Sequence, residues 1–517
     1  MTDAAKLERY ARSTICRPVE AVAVLRPANA DEVVAAVKTA ARYRIPLYPI
    51  SRGKSWGYGD ACPVTEGNVI VDLGRMNRIR EVNATLAYAV IEPGVTQGQL
   101  SEHLRSRGIA LWPDCTGAGP DTSIVGNVLD RGFGHTPYGN RAQFISGMEI
   151  VLADGRTLRT GFGHFEKARS SQLFPYGIGP ALDGLFVQSS LGIVTALGIW
   201  LMPAPEAYSL FICSLKNDED IASFVEDLRP LRLDGTLRSV IHMGNDLRAI
   251  SGGMAYPRDQ FSNGGALPED YRRSLRESGG LGAWMIAGGL YGSKSLVAAS
   301  RREVRRRLAR AGRTLQFFDQ RKLDALERMS RPLAGVRRVA ALRGKLSSLK
   351  SLYEMNRGIP SHRFLAGAYW RHRQGLPADL SNADPALDFC GLLWFPPVLP
   401  FTGAAVEEFL ALARPIFARH GFDFFVTLSS VTERSLGAVM TIAYDQEDAR
   451  EVAAAQDCAN ALCESMMDAG FPPYRISPHF LPYLARGSDT YWDVVAEIKQ
   501  ALDPDQIMSP GRYQPLS

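Results

Sequence analysis

Apolar and polar residues alternate with two different periods along the first 205 residues. Helical spacing over residues 31–43, with acidic residues in the first turn, predicts a helix, and residues 97–106 predict a second one. Residues 145–158 (ISGMEIVLADGRTL) predict a β-hairpin that turns at Asp154-Gly155. Short apolar runs predict further strands at residues 45–50, 68–73, 87–92 and 190–201.

The second part of the chain, from about residue 206 to 470, mixes strands with longer helices. Between them, residues 370–389 are polar and contain prolines, which predicts an excursion from the fold. Prolines end the apolar run near residue 205, so we place a domain boundary there and divide the chain into 1–205, 206–470 and 471–517. Helices are predicted at 295–311 and 404–420, and strands at 208–215, 390–397 and 439–444.

The stretch YPISRGKSWGYG at residues 48–59, here called the glycine loop, follows an apolar run. Glycine permits positive φ, and consecutive N–H groups in such a turn form a concave nest for anions. Lys54 adds charge, while Ser51 and Ser55 add hydroxyl donors. The pattern indicates a loop that holds a phosphate or pyrophosphate, although it has neither the P-loop nor the Rossmann glycine order.

Two other stretches, residues 112–127 and 130–139, are rich in glycine and show no periodicity. Loops of this length inside a compact domain are usually functional. We therefore predict that they belong to a binding site.

Composition narrows the class of protein. The chain has 517 residues, 46% of them hydrophobic and 22% charged, which is typical of a soluble protein with more than one domain. The net charge of +5 gives no indication of a nucleic-acid partner. The basic run at residues 301–313 (RREVRRRLARAGR) has helical spacing and predicts a solvated helix face, with an anionic partner or a neighbouring subunit as the alternative.

The cysteines and histidines give no sign of a metal centre or a disulfide framework. The seven cysteines form no C-x-x-C pair, and the eight histidines show no metal-binding spacing. Residues 1–13 lack an apolar core, so we expect no secretory signal. No apolar run has membrane-spanning length, and we expect a soluble, cytoplasmic protein.

Six phrases, in order along nearly the whole chain, resemble the vanillyl-alcohol oxidase and p-cresol methylhydroxylase flavoproteins. They are PISRGKSWGYG, VIEPGVT, GN-x-x-DRG-x-G-x-TPYG, GMEIVLADGRTLRTG, GIVTALGIWLMP and SPGR. The resemblance implies an α+β fold with two lobes. Residues 1–205 and 471–517 would form the FAD-binding domain, and residues 206–470 an antiparallel-sheet cap.

The resemblance also implies which residues contact FAD. The glycine loop would wrap the pyrophosphate, in agreement with its phosphate-binding pattern. The implied contacts are Pro49, Ile50, Ser51, Arg52, Gly53, Lys54, Ser55, Ser123, Gly126, Asn127, Gly132, Tyr138, Ile193, Val194 and Arg512.

The family oxidises phenols that carry an alkyl or hydroxyalkyl group para to the hydroxyl. Its members stabilise the phenolate while the benzylic carbon gives hydride to the flavin. Tyr58, Tyr474 and Arg475 stand at the family's phenolate-binding positions. The resemblance therefore implies a small aromatic substrate, with oxygen as the default electron acceptor and a homodimer as the expected assembly.

One departure from the family concerns its active-site aspartate. The corresponding position falls on Gly117 or Ala118, while Asp114 and Asp121 are neighbours in sequence. Two candidates for the proton acceptor therefore remain, a base displaced from this position and a water molecule.

Other departures concern flavin attachment and the substrate. The flavin-linking histidine of related oxidases is replaced by Gly437-Ala438, so we favour non-covalent FAD, with Tyr369 as the candidate if a bond exists. Thr427 and Thr441 stand where the family's substrate-contacting carboxylates are expected, so the substrate preference does not carry over.

Three functions follow from these observations. The retained Tyr58 and Tyr474-Arg475 favour oxidation of a para-substituted phenol. The departures favour an oxidoreductase of the same fold that acts on a non-phenolic alcohol, hydroxy acid or natural-product intermediate. A flavin-binding protein without turnover is the third hypothesis.

Overall fold

The computed structural model describes residues 2–15, 19–261, 264–330, 337–486 and 489–514. Cys16 lies outside these residues, and the six described cysteines are buried. The elements of the first part are α1 (Ala4–Ala11), β1 (Ala23–Leu25), α2 (Ala30–Tyr43), β2 (Leu47–Ile50), β3 (Val69–Asp72), β4 (Ile79–Asn83), β5 (Tyr88–Ile91), α3 (Gln97–Ser106), β6 (Leu111–Trp112), α4 (Ile124–Leu129), β7 (Ile145–Val151), β8 (Thr157–Arg159), β9 (Ile193–Trp200) and β10 (Met202–Pro203).

The second part contributes the larger sheet and most of the long helices. Its elements are β11 (Ala207–Leu215), α5 (Asp220–Leu233), β12 (His242–Asn245), α6 (Asp246–Ile250), α7 (Glu269–Gly279), β13 (Trp284–Gly292), α8 (Lys294–Leu308), β14 (Arg313–Phe318), α9 (Gln320–Ser330), α10 (Arg337–Met355), β15 (Cys390–Phe395), β16 (Val398–Pro400), α11 (Gly403–Arg419), β17 (Phe425–Ser429), β18 (Ser435–Asp445), α12 (Ala449–Asp468) and α13 (Asp489–Leu502).

Two sheets form most of the first part. A small parallel sheet has the order β1-β3-β2, and an antiparallel sheet has the order β4-β5-β9-β7-β8. Residues near the C-terminus extend the parallel sheet, because Met508 pairs with Leu47. The N–H of Leu47 donates to the Ile507 carbonyl at 2.7 Å, and the N–H of Ser509 donates to the Leu47 carbonyl at 2.8 Å. The distant segment thus fixes β2 just before the glycine loop.

A larger antiparallel sheet has the order β14-β11-β13-β12-β17-β18-β15, and β16 also pairs with β18. Alternate residues such as Met243, Val426 and Met440 are buried in one core with α5, α8, α11 and α12. Side chains alternate across a strand, so the residues between them face the opposite side. This opposite side, here called the cleft face, is partly exposed at His242, Gly244, Trp394, Thr427 and Val439.

The predicted elements agree closely with the structure in the first part of the chain. The helix predicted at 97–106 has those bounds, and the helix predicted at 31–43 begins one residue earlier. The predicted hairpin forms between β7 and β8, with Gly155 at φ +81° in its turn. All strands of the larger sheet lie between Ala207 and Asp445. The division at 205 and 470 stays a prediction.

Three predictions from the sequence were wrong in part. Residues 112–127 are not wholly irregular, because Ser123 caps α4 and accepts a hydrogen bond from the Gly126 N–H. The basic run is not one helix face, since α8 ends at Leu308 and Arg313 begins a strand, paired with Asp227 at 2.7 Å. Residues 370–389 do not leave the fold entirely, because Trp370 and Arg371 are buried.

Among the described residues, no helix combines the length and the apolar character that crossing a bilayer requires.

The buried face of α11 gives a test of the core. Phe409 is 0% exposed, so Phe409→Ala leaves a cavity and should lower the free energy of unfolding by about 3–5 kcal/mol. Glu407→Ala on the exposed side of the same helix is the control, with an expected change within about 0.5 kcal/mol. Urea unfolding followed by circular dichroism measures both. Equal losses in the two variants would contradict the assigned packing of α11.

Candidate active site

The glycine loop passes directly beneath the cleft face of the larger sheet. Gly57 has φ +75°, and a Cβ added there would lie 2.6 Å from Trp394 Cγ. Its N–H donates to Thr14 Oγ1 at 2.8 Å. Only glycine permits both this conformation and this close approach, so position 57 sets the distance between the loop and the sheet.

The loop leaves a run of backbone donors open. Among the residues that the structure describes, the N–H groups of residues 52–55 donate to no protein acceptor. Gly53 at φ +65° turns the chain at this point. Lys54 Nζ lies 3.7 Å from Asp384 Oδ2, and Arg52 is exposed. Several free N–H groups in one turn, with cations beside them, suit a diphosphate.

The N-terminal end of α4 packs against this loop. Ser123 Oγ accepts from the Gly126 N–H at 2.9 Å and donates to the Pro93 carbonyl at 2.6 Å. A Cβ on Gly126 would lie 3.1 Å from Ser51 Oγ, so the two segments touch. The structure thus brings Ser123 and Gly126 together with the glycine loop.

The other predicted cofactor contacts are distributed around this point. Pro49 and Ile50 belong to β2, and Ile193 of β9 shares a buried cluster with Leu47 and Met508. Val194 faces the core of the antiparallel sheet.

Asn127 and Tyr138 have partners within the protein. Asn127 Oδ1 accepts from Arg141 Nη1 at 2.9 Å, and its side chain fills the space beside Gly132. Tyr138 stacks on Phe144 with ring centroids 4.3 Å apart, so its ring is committed to an aromatic neighbour.

One carboxylate joins the glycine loop to the end of the chain. Asp130 Oδ2 accepts from Arg475 Nη2 at 2.5 Å, and the same guanidinium donates to Ser55 Oγ at 2.6 Å. Asp130 Oδ1 accepts from the Tyr513 hydroxyl at 2.5 Å and lies 3.7 Å from Arg512 Nη2. We call these five residues the Asp130 cluster.

The Asp130 cluster has one net positive charge, from two arginines and one aspartate. Burial by itself raises the pKa of Asp130, but Arg475 and Arg512 outweigh it and lower the pKa to about 2. Both guanidinium groups are less than a tenth exposed. The cluster therefore stabilises an anion placed beside it.

The three residues predicted to bind a phenolate lie together. The guanidinium carbon of Arg475 is 3.9 Å from the centroid of the Tyr58 ring. Burial, with the neighbouring Tyr474, raises the pKa of Tyr58 well above its ordinary value, and burial also raises the pKa of Tyr474. Both tyrosines are therefore neutral hydroxyl donors at pH 7. Trp394 of the cleft face packs edge-on against Tyr58 at 5.4 Å.

Two histidines, which the sequence reasoning missed, lie near these tyrosines. The rings of His135 and His242 are 4.0 Å apart, and Phe133 lies 6.0 Å from His242 and 5.7 Å from Tyr474. Burial lowers the pKa of His242 to about 4 and that of His135 well below its ordinary value. Both imidazoles are therefore neutral at pH 7, and the ring nitrogens of His242 are engaged by Ser429 Oγ and the Gly134 carbonyl.

Neither aspartate near the lost family position is free to act as a base. Asp114 is paired with Arg141 at 2.7 Å and accepts from the backbone N–H groups of residues 135 and 136. Asp121 is half-exposed and lies 3.3 Å from His362 Nε2. A Cβ on Gly117 would contact Phe364, so that position packs against another segment.

Tyr369 lies at the end of a 3₁₀ helix (His362–Tyr369). Its side chain is 0% exposed, and its hydroxyl donates to Asp388 Oδ2 at 2.5 Å. Position 437 faces Tyr474, since a Cβ there would lie 3.7 Å from its ring, but glycine supplies no nucleophile.

The cleft face carries a cation where the family has carboxylates. Arg248 of α6 donates from Nη2 to Thr441 Oγ1 at 2.6 Å, and a Cβ on Gly244 would lie 3.2 Å from Arg248 Cβ and 3.8 Å from Thr427 Oγ1. The predicted substitution of carboxylates by Thr427 and Thr441 therefore coincides with an arginine that the sequence reasoning did not single out.

The residues present fit FAD. The open N–H groups of the glycine loop suit its diphosphate. Several buried polar atoms around the cleft have no partner among the described residues, which indicates that they serve a ligand. They are Arg248 Nε, Trp394 Nε1, Arg475 Nε, Ser477 Oγ and Arg512 Nη1. The described residues include no group of three or more His, Cys, Asp and Glu side chains suited to a metal ion.

A diphosphate nest that meets a positively charged cleft under an antiparallel sheet is the arrangement of a flavin-dependent oxidoreductase. Residues 21–161 match the FAD binding domain family. The 1'-carboxy-chondrochloren decarboxylase of Chondromyces crocatus is 37% identical over 95% of this chain and 90% of its own length.

Solved structures extend the likeness to the whole fold. The crystal structure of p-cresol methylhydroxylase with substrate bound is 28% identical, with a TM-score of 0.86 over 99% of this chain and 93% of the other. The isoeugenol complex of 4-ethylphenol oxidase from Gulosibacter chungangensis is 26% identical, with a TM-score of 0.87 over 99% and 94%. The chain belongs to the vanillyl-alcohol oxidase and p-cresol methylhydroxylase family, and it is an FAD-dependent enzyme. The α+β two-lobed fold predicted from the sequence is confirmed.

The Asp130 cluster gives a test of the site. Asp130→Asn leaves two buried guanidinium groups without their counterion, so we expect a loss of stability of about 3 kcal/mol at pH 7 and a lower FAD content. Asp121→Asn, at a half-exposed carboxylate, is the control and should change neither quantity measurably.

The pH dependence of the same variant follows from the lowered pKa. A depressed folded pKa contributes stability above the unfolded value near 4, and this contribution is lost as the pH falls toward about 2. The difference in unfolding free energy between the wild type and Asp130→Asn should therefore shrink between pH 4 and pH 2. A difference that stays constant across this window would contradict the ionised Asp130.

Proposed function

We propose that the enzyme oxidises a para-substituted phenol at its benzylic carbon, with the substrate held as a phenolate by Tyr58, Tyr474 and Arg475. The observation that carries this proposal is the guanidinium of Arg475 over the Tyr58 ring, with Tyr474 in contact with both. Two neutral hydroxyls and one fixed cation are the donors that a phenolate oxygen requires.

The energetics support a site of this composition. A phenol with a pKa of about 10 costs roughly 4 kcal/mol to ionise at pH 7. Hydrogen bonds to a charged group contribute about 1.5–3 kcal/mol each, so two or three of them offset that cost. The single net positive charge of the Asp130 cluster acts in the same direction.

Bound FAD supplies the hydride acceptor for this chemistry. The protein's role is to hold the phenolate, whose electrons move into the ring as the benzylic carbon loses hydride. The quinone methide that results takes up water or loses a proton, and the product is hydroxylated, dehydrogenated or a carbonyl compound. Water takes the place of the missing aspartate as proton acceptor, because burial lowers the pKa values of the nearby His135 and His242 and makes them weak bases.

The names of the relatives support phenolic substrates. One solved relative is a p-cresol methylhydroxylase and another is a 4-ethylphenol oxidase. We propose oxygen as the electron acceptor here. The cytoplasmic location and the homodimer stay predictions from the sequence.

A second candidate is oxidation of a carboxylated natural-product intermediate with loss of CO₂. The curated relative at 37% identity is named for the decarboxylation of a carboxy compound, and the cleft face has Thr427 and Thr441 with Arg248 in place of carboxylates. If the carbon next to the methide carbon carries a carboxylate, the bond between that carbon and the carboxylate can break. The electrons of this bond form a new C=C bond and displace electrons into the ring. That step releases CO₂, restores the phenolate and leaves a vinyl group.

The phenolate site is tested with Tyr58→Phe and Tyr474→Phe. Each variant loses one hydroxyl donor, so flavin reduction by 4-ethylphenol or vanillyl alcohol should slow by about 10- to 100-fold. Anaerobic stopped-flow absorbance measures this rate. Tyr176→Phe, at a tyrosine that is 63% exposed, is the matched control and should react like the wild type.

Benzyl alcohol without a phenol separates the hypotheses. Bleaching of the wild-type flavin by the phenols, but not by benzyl alcohol, supports the proposal. Equal bleaching by benzyl alcohol would contradict it and favour a non-phenolic substrate. A flavin that no phenol and no alcohol bleaches would support a binding protein without turnover. Recovery of the oxidised spectrum after admission of air tests oxygen as the acceptor.

We also propose that FAD is bound without a covalent link. Tyr369 is fully buried and its hydroxyl is held by Asp388. Acid precipitation of the holoenzyme should therefore release all flavin to the supernatant, and Tyr369→Phe should retain the wild-type flavin content. Flavin that stays with the precipitated wild type, but not with Tyr369→Phe, would contradict this proposal.

A further inference from the structure

We infer that Arg248 binds a carboxylate on the para side chain of the substrate, so that the cleft recognises a phenol at one end and an acid at the other. This inference rests on the proposed phenol-oxidising function and adds a class of substrate to it.

Arg248 is a partly buried cation that no carboxylate of the described residues balances. Among the described residues, no Asp or Glu lies within ion-pair distance of its guanidinium, and its Nη2 donates to Thr441 Oγ1 and the Val439 carbonyl. Other buried arginines of the site are balanced, since Arg141 has Asp114 and Arg475 has Asp130. Desolvation of an unbalanced guanidinium is costly, and a bound anion removes that cost.

The charge of Arg248 persists at neutral pH. Burial lowers the pKa of Arg248 to about 10, which leaves it protonated, and the hydroxyl of Tyr58 opposes the lowering. Tyr58 therefore lies within electrostatic range of Arg248. Among the described residues, Nε of Arg248 has no protein partner. An open Nε–H edge is one of the two edges with which arginine binds a carboxylate in bidentate fashion.

A second donor lies in the same row of the cleft face. Trp394, Thr441 and Phe425 are neighbours in register across β15, β18 and β17. Trp394 Nε1 is buried and has no protein partner. The surrounding Thr427 and Thr441 are neutral, so these two side chains do not repel an anion.

The two ends of the cleft are close enough for one small molecule. Tyr58 packs against Trp394, Trp394 is paired with Thr441, and Thr441 accepts from Arg248. Only a few side chains therefore separate the phenolate site from Arg248. We assign the substrate class as 4-hydroxyaryl compounds whose para side chain carries a carboxylate.

Equilibrium binding tests this assignment without turnover. The probes are 4-hydroxybenzoate and 4-hydroxyhippurate, each with its primary amide, and none of them has a benzylic hydrogen to lose. Dissociation constants are measured on the FAD-loaded protein at pH 7 by calorimetry. At least one acid should bind 10- to 100-fold more tightly than its amide, and salt should weaken the acids more than the amides.

Substitution of Arg248 tests whether this residue causes the preference for the acid over the amide. Arg248→Met should bring the affinity for the acid down to that for the amide and leave the amide unchanged, while Arg248→Lys should retain part of the preference. Flavin content and melting temperature show whether each variant is folded. If Arg248→Met does not fold, the acid–amide comparison in the wild type and in Arg248→Lys still decides the question.

The outcomes separate this inference from the proposed function. Equal affinity of the wild type for the acids and the amides would overturn the carboxylate site, whatever the phenols do. An acid preference that persists in folded Arg248→Met would overturn the role of Arg248. Hippurate, which lacks the phenolic hydroxyl, is the remaining probe. If hippurate binds as tightly as 4-hydroxyhippurate, the result counts against the phenolate site but not against the carboxylate site.

Discussion

The active site depends on one ion pair between distant parts of the chain, that of Asp130 with Arg475. The two residues are 345 positions apart in sequence, yet their side chains meet at 2.5 Å. Without this carboxylate, the guanidinium groups of Arg475 and Arg512 would lie close together and uncompensated. Because Arg475 also contacts Ser55 and Tyr58, the ion pair sets where the glycine loop stands relative to the C-terminal part.

The cleft face of the larger sheet determines what the site can recognise. Its opposite face is filled by helices, so the alternation of the strands leaves one row of side chains for the ligand. In this row Thr427 and Thr441 stand where the family's carboxylates were expected, and Arg248 of α6 lies against them. The group formed by Tyr58, Tyr474 and Arg475 at one end of the cleft is thus combined with a cation at the other end.

Much of the fold was predictable from the sequence, because helical and strand periods are local. The glycine loop and the residues Tyr58 and Tyr474-Arg475 were also identified from short motifs, whereas α4 begins in a stretch that was predicted to be irregular. Asp130 stood in a quoted motif, but its role depends on two arginines that are brought to it only by folding. Arg248 lies in an ordinary run, NDLRAI, where nothing distinguishes it from a surface arginine.

The pairing of Met508 with Leu47 has a consequence for biosynthesis. The ribosome makes the glycine loop early, but the strand partner and the cations that complete its surroundings come from residues 475–513. A nascent chain therefore has the diphosphate nest without the wall that closes it. FAD can therefore bind stably only when translation is almost complete, and the cofactor is taken up by the finished polypeptide.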